Sequence, residues 1–193
     1  MAKTARNADD IIRLKVTLRG IRPPIWRRLA LPGRMTLGDL HHAIQAAMGW
    51  DDGHLHLFDI AGRHYGDPLT VDGVTDEERL TLNGVVRSGA ARFTYTYDFG
   101  DDWEHAITIE GKHPSVAGRR YPACLAGKRH GPPEDCGGVW GYQELLAILA
   151  NPAHARYQEW IETIGEGFDP EAFSAEFSAE AADALVAARF GRP

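Results

Sequence analysis

Cysteine is nearly absent: Cys124 and Cys136 are the only two in 193 residues. Two thiols cannot build a disulfide framework, and in a reducing compartment such a pair serves as free thiols or as metal ligands. No apolar run approaches the length that a membrane-spanning helix needs, and Met1 to Asp10 lacks the apolar stretch of a secretory signal, so the expected location is the cytoplasm. No glycine-rich phosphate loop follows a strand pattern and no serine nucleophile elbow occurs, which removes most of the support for dinucleotide and serine-hydrolase chemistry. Internal repeats and low-complexity linkers are also lacking.

At 44% hydrophobic and 25% charged, the chain has the size and composition of one globular domain with a real core. The expected organisation is a disordered leader over residues 1–10 and a single domain over 11–193, with C-terminal helices in 141–193. The net charge of −6 hides an asymmetry: residues 1–36 carry nine Lys or Arg against two acids, and residues 134–193 three against eleven. A basic patch centred on Arg19, Arg22, Arg27 and Arg28 would suit nucleic acid. Because these arginines alternate with apolar residues on strand patterns, a solvated face paired with the acidic helices is the favoured reading.

Alternation predicts a first strand over Ile11 to Arg19, with Ile12, Leu14, Val16 and Leu18 on one face, and a second over Ile25 to Leu31 pairing with it. Thr36 is a helix N-cap with Asp39 in a capping box, and Leu37, Leu40, Ile44 and Met48 form the buried stripe of a helix closed by Gly49. A strand from His54 to Ile60 follows, then a loop over Gly62 to Glu78, and Asn83-Gly84 is a tight-turn signal. Lys112 to Gly141, rich in Gly and Pro, is long for a plain loop and is expected to carry function or to be clamped. Further helices are predicted over Tyr142 to Ala150, Ala153 to Ile164 and Ser178 to Phe190.

Chemistry-bearing residues crowd into Tyr95-Thr-Tyr-Asp-Phe-Gly-Asp-Asp-Trp-Glu-His105. Phe93, Tyr95, Tyr97 and Phe99 alternate on one face, Gly100-Asp101-Asp102 supplies a turn, and Trp103, His105, Ile107 and Ile109 resume the alternation. The result is a hairpin with an acidic tip. Asp98, Asp101, Asp102 and Glu104 with His105 have the donors for a divalent cation or for acid–base work. With Tyr97 and Trp103 beside them they equally suit a ligand or partner surface. Asp-rich turns over a core tryptophan would look the same. Cys124, His130 and Cys136, with His105 or His113 as a fourth ligand, are a candidate zinc set that would clamp the long loop. His41-His42 and the pair His54 and His56 form a third group, in which His41 lies beside the apolar stripe while His42 turns away.

Five phrases together resemble the plasmid pRiA4b ORF-three-like family over roughly residues 10–180. They are Leu14 to Arg28, Leu37 to Trp50, Tyr95 to His105, Tyr121 to Arg129 and Pro132 to Gly138. The resemblance implies an α+β fold, a roll-like mixed or antiparallel sheet packed against helices, and brings no catalytic residues. Relatives carry a cysteine where this chain has Gly131 and an alanine where it has His130. If they ligate metal through three cysteines, His130 would have to replace one here. The expected function is a non-enzymatic binding module for a protein or nucleic-acid partner, presenting Tyr97 to His105. The alternatives are a metal-dependent enzyme using the Asp/Glu/His cluster, and a hairpin that is only core and turn.

Overall fold

The computed structural model describes residues 10–175. The expected leader, up to residue 9, and the helix expected from Ser178 to Phe190 lie outside the described residues. The fold is α+β. Strand β1 (Asp10–Leu18) buries Ile12, Leu14, Val16 and Leu18 on one face, as its alternation dictates, each side chain contributing about 1.5–3 kcal/mol by leaving water. It pairs antiparallel with β2 (Trp26–Pro32) on one side and with the long β7 (Trp103–Pro114) on the other. From β7 the sheet continues through β6 (Arg92–Tyr97), β3 (His56–Ile60), β4 (Arg63–Gly66) and β5 (Thr75–Asp76), and beyond β2 it ends at β8 (Ala123–Lys128). All pairings are antiparallel except the parallel β4/β5 edge.

Helix α1 (Leu37–Met48) has the caps its sequence spells out. Thr36 Oγ1 accepts from the Asp39 N–H at 3.1 Å while the Asp39 carboxylate accepts from the Thr36 N–H at 2.8 Å, and Gly49 closes the helix at φ 83°. Its stripe of Leu37, Leu40, Ile44 and Met48 joins the core. Helices α3 (Gly138–Leu149) and α4 (Tyr157–Ile164) follow β8. Among the described residues, no helix is long and apolar enough to cross a membrane.

Three expectations change. Asn83-Gly84 does not turn a hairpin but lies in helix α2 (Leu82–Arg87). The flanking apolar pairs are too short for a ladder, whereas Thr81 caps the Gly84 N–H and Leu82 and Val85, three apart, bury one face. The first helical N–H groups, without acceptors in their own helix, donate to Met35 and Gly33 carbonyls. Residues 62–78 are not plain loop, since they contain β4, β5 and the start of a 3-10 turn, Glu77–Arg79. The long segment 112–141 is held by strand pairing: it contains the end of β7, all of β8 against β2, and the first turn of α3.

The β6–β7 hairpin pairs Tyr97 with Trp103, Tyr95 with His105 and Phe93 with Ile107, and all six side chains are buried on one face. Its tip is fixed from below. Asp98 and Asp102 take left-handed φ values of 56° and 54°, Asp98 Oδ1 accepts from the Gly100 and Asp101 N–H groups, and Asp101 Oδ2 accepts from the Gly137 N–H at 3.1 Å. Gly138 is required there, because a Cβ would stand 2.3 Å from the Asp101 carbonyl oxygen.

Candidate functional site

The α1–β3 connection, Gly49 to Leu55, brings histidines from three elements to one place. Asp52, at φ 65°, turns its carboxylate back onto α1. There Oδ1 lies 2.6 Å from His41 Nε2 and Oδ2 lies 3.3 Å from His42 Nδ1. Adjacent helical side chains diverge, and the expectation that His41 and His42 serve different faces is corrected by the loop: one carboxylate fits between both rings, whose centroids are 4.8 Å apart. His56 on β3 stacks flat on His41, centroids 3.5 Å apart at 7°, and its Nε2 meets the buried Glu77 carboxylate at 2.8 Å.

The hydrogen bonds assign the tautomers. Gln45 Oε1 accepts from the Asp52 N–H at 3.2 Å, which fixes the amide and makes Gln45 Nε2 the donor to the Tyr95 hydroxyl at 3.0 Å. Tyr95 then donates its own proton to His41 Nδ1 at 2.7 Å, so the His41 proton sits on Nε2 and is given to Asp52. Burial pushes His41 down to about 4, against the opposing pull of Asp52, so the imidazole is neutral near pH 7. For Asp52, burial opposes ionisation, but the hydrogen bonds from His41 and His42 outweigh it and hold the carboxyl well below its usual range. The ionised Asp52 thus turns one oxygen to His41 Nε2 and the other to His42 Nδ1, so that three donor groups face one another.

These groups line a cleft of about 510 Å³. Its walls carry four histidines (41, 42, 54 and 56) and five carboxylates (Asp52, Asp67, Asp76, Glu77 and Glu78), with no Lys or Arg; exposed Arg79 pairs with Asp76. Two sets of three donor atoms lie within 4.8 Å of one another among the described residues: His41, His42 and Asp52, and His54, Asp98 and Asp135.

The residues expected from sequence distribute differently. Tyr97, Trp103 and His105 are buried and cannot meet a partner. The Tyr97 hydroxyl donates to Glu134 at 3.0 Å, His105 Nδ1 donates to the Tyr95 carbonyl at 3.3 Å, and burial lowers His105 to about 4. Asp98 and Asp101 brace the tip, Glu104 pairs with Arg19, and Asp102 is exposed. The set of Cys124, His130 and Cys136 does not converge. Cys124 lies on β8, Cys136 is buried with its thiol pushed up to about 12 mainly by that burial, and His130 Nδ1 is 2.7 Å from the Gly131 carbonyl. The hollow that His130 and Cys136 line, about 680 Å³, is larger than the histidine cleft but gathers no ligand set. The basic patch is largely spent. Arg27 is buried and donates to the Ala47, Trp26 and Lys128 carbonyls, Arg28 forms a two-bond pair with Glu110, and Arg19 is paired as above.

Comparison with known proteins places this architecture. Residues 10–177 match the family described as Plasmid pRiA4b ORF-3-like protein. The chain belongs to that family. It is 44% identical over 172 residues to the uncharacterized protein y4hQ of Sinorhizobium fredii (strain NBRC 101917 / NGR234), covering 88% of each chain. It is also similar to the crystal structure of protein of unknown function MM3350 from Methanosarcina mazei Go1, with a TM-score of 0.81 and 39% identity over 87% of this chain and 97% of that one. A Cβ on Gly131 would stand 2.1 Å from the Met48 carbonyl oxygen, so this position has no room for a side chain. Sequence reasoning ranked the histidine group third. The signal was there, since His41, His42, His54 and His56 are four of nine histidines within sixteen positions, with Asp51 and Asp52 between them.

Proposed function

We propose that this family member is a divalent-metal-binding protein, holding a zinc-type ion through His41, His42 and Asp52 at the wall of a cleft that also admits a small ligand. The observation that carries this reading is the convergence of two imidazoles and one carboxylate within 4.8 Å in a cleft whose lining has no cationic side chain. Imidazole with carboxylate suits zinc and its neighbours, and three protein ligands leave an open position for water or substrate. Ion binding on His41 Nε2 displaces the proton now given to Asp52. That proton can shift to Nδ1 if the Tyr95 hydroxyl turns its own proton away and accepts instead. The metal-dependent reading of the sequence is therefore kept but moved from the hairpin tip to the neighbouring cleft.

The test is a Zn²⁺ titration of chelator-stripped full-length protein. Asp52→Asn and His42→Ala should each weaken binding on the order of 10- to 100-fold while far-UV circular dichroism stays unchanged, because both side chains are partly exposed. Cys124→Ser should leave affinity intact. Equal affinity in wild type, Asp52→Asn and His42→Ala would sink the reading.

A second reading, a protein-binding surface at the hairpin tip, is favoured by one observation: Phe99 (48% exposed) and Trp140 (81% exposed) flank the Asp101–Gly137 contact. If this surface captures a partner, Phe99→Ser with Trp140→Ser abolishes capture at unchanged stability. Capture by that double variant equal to wild type would dismiss it.

A further inference from the structure

The second donor cluster centres on His54, which lines the cleft and whose Nε2 faces the hairpin tip and the loop before α3. His54 Nε2 is 3.2 Å from Asp135 Oδ1, 3.8 Å from Asp98 Oδ2 and 4.0 Å from Glu134 Oε2. Two of these oxygens are left without hydrogen bonds inside the protein. The Asp98 side chain is nine-tenths buried; it spends Oδ1 on the Gly100 and Asp101 N–H groups, and Oδ2 has no hydrogen bond. Glu134 Oε1 accepts from the Tyr97 hydroxyl and the Asp51 N–H, and Oε2 is buried and unpartnered. Buried carboxylate oxygens are ordinarily satisfied, since an unpaired one keeps its full desolvation cost. Glu134 Oε2 is such an oxygen, and it converges with Asp98 Oδ2 on one imidazole nitrogen.

We propose that His54, Asp98, Glu134 and Asp135 form a second, oxygen-rich site for a divalent cation of the Mn²⁺ type. One imidazole with carboxylate oxygens is the donor set of a harder ion than the cleft takes. Ligand atoms bonded at about 2.1 Å to a common ion sit about 3 Å apart in an octahedron; His54, Asp98 and Asp135 already hold their donor atoms within 4.8 Å of one another, and Glu134 Oε2, 4.0 Å from His54 Nε2, would move in to join them. The ion would pair the orphaned Glu134 oxygen and the unbonded Asp98 Oδ2 and tie three segments together: the α1–β3 loop, the hairpin tip and the loop before α3. This site shares no ligand with the His41, His42 and Asp52 set and stands without it.

The experiment uses the full-length chain with the cleft disabled by Asp52→Asn and His42→Ala, titrated with Mn²⁺ and followed by electron paramagnetic resonance of the free ion. One Mn²⁺ per chain should remain bound. Adding His54→Gln or Asp135→Asn, both at least partly exposed positions, should weaken it at least 10-fold. Asp98→Asn, which keeps the oxygen that caps the tip, should do the same. A cleft-disabled protein that binds no Mn²⁺ would overturn the site, as would binding unaltered by His54→Gln and Asp98→Asn. Failure of the cleft reading would show separately, as Zn²⁺ affinity indifferent to Asp52→Asn.

Discussion

His41 and His105 flank the same tyrosine and have been given opposite surroundings. Tyr95 lies with its ring 5.9 Å from His41 and 5.4 Å from His105, and all three side chains are buried. Burial lowers both histidines to about 4, so their protonation alone does not distinguish them. Partners do. His41 has a hydroxyl on one nitrogen and a carboxylate on the other, and its neighbours His42 and Asp52 open onto the cleft. His105 has a backbone carbonyl on Nδ1, no partner on Nε2, and Trp50 set edge-on to its ring. The dry side of Tyr95 is packing, and the acidic side is a site.

The largest expected effect tests what the two sides share. An unfolded histidine takes up its proton near pH 6.5, but in the folded protein neither His41 nor His105 does so until about pH 4. Between those values the unfolded chain binds more protons, so stability is complete above about pH 6.5 and falls as pH drops towards 4. Each histidine accounts for on the order of 3 kcal/mol across the window. Urea unfolding at pH 7.5 and pH 4.5 should show this loss, and His105→Leu should shrink it by the share of one histidine. An equal loss in wild type and His105→Leu would break the equivalence of the two sides.

How far each side was legible follows from how local its determinants are. Caps, stripe and stop of α1 lie within fourteen consecutive positions, Thr36 to Gly49, and were readable as written. The faces of β1 and of the hairpin followed from alternation alone, and so did the company that His105 keeps. What alternation does not tell is which face meets water. Trp103 and His105 looked like a surface beside an acidic tip, and Arg27 looked exposed although it shares the buried face of Ile25, Leu29 and Leu31. The cleft was illegible for a different reason. It depends on a left-handed residue, Asp52, folding the loop back on α1, and on Glu77, which arrives from a stretch whose two short strands carry no sequence period. The long 112–141 segment suggested a metal clamp because it is rich in Gly and Pro and long for a loop, yet the pairing of the six-residue β8 with β2 supplies the clamp.

The smaller effect separates the two sides. Removing the hydroxyl in Tyr95→Phe leaves His41 Nδ1 and one Gln45 N–H unpaired in the interior, a cost of about 1–3 kcal/mol, while every ring contact to His105 is retained. Without that hydroxyl, His41 Nδ1 loses its donor in the free protein and has no acceptor for the proton that moves to it when Nε2 is taken by an ion. Tyr95→Phe should therefore weaken Zn²⁺ binding as well as stability, yet leave the pH 4.5 to 7.5 difference of the His105 side in place. Calorimetric Zn²⁺ titration beside urea unfolding reads both. A stability loss with unchanged Zn²⁺ affinity would mean that the hydroxyl serves the core alone, and that the boundary between packing and site runs through His41 itself.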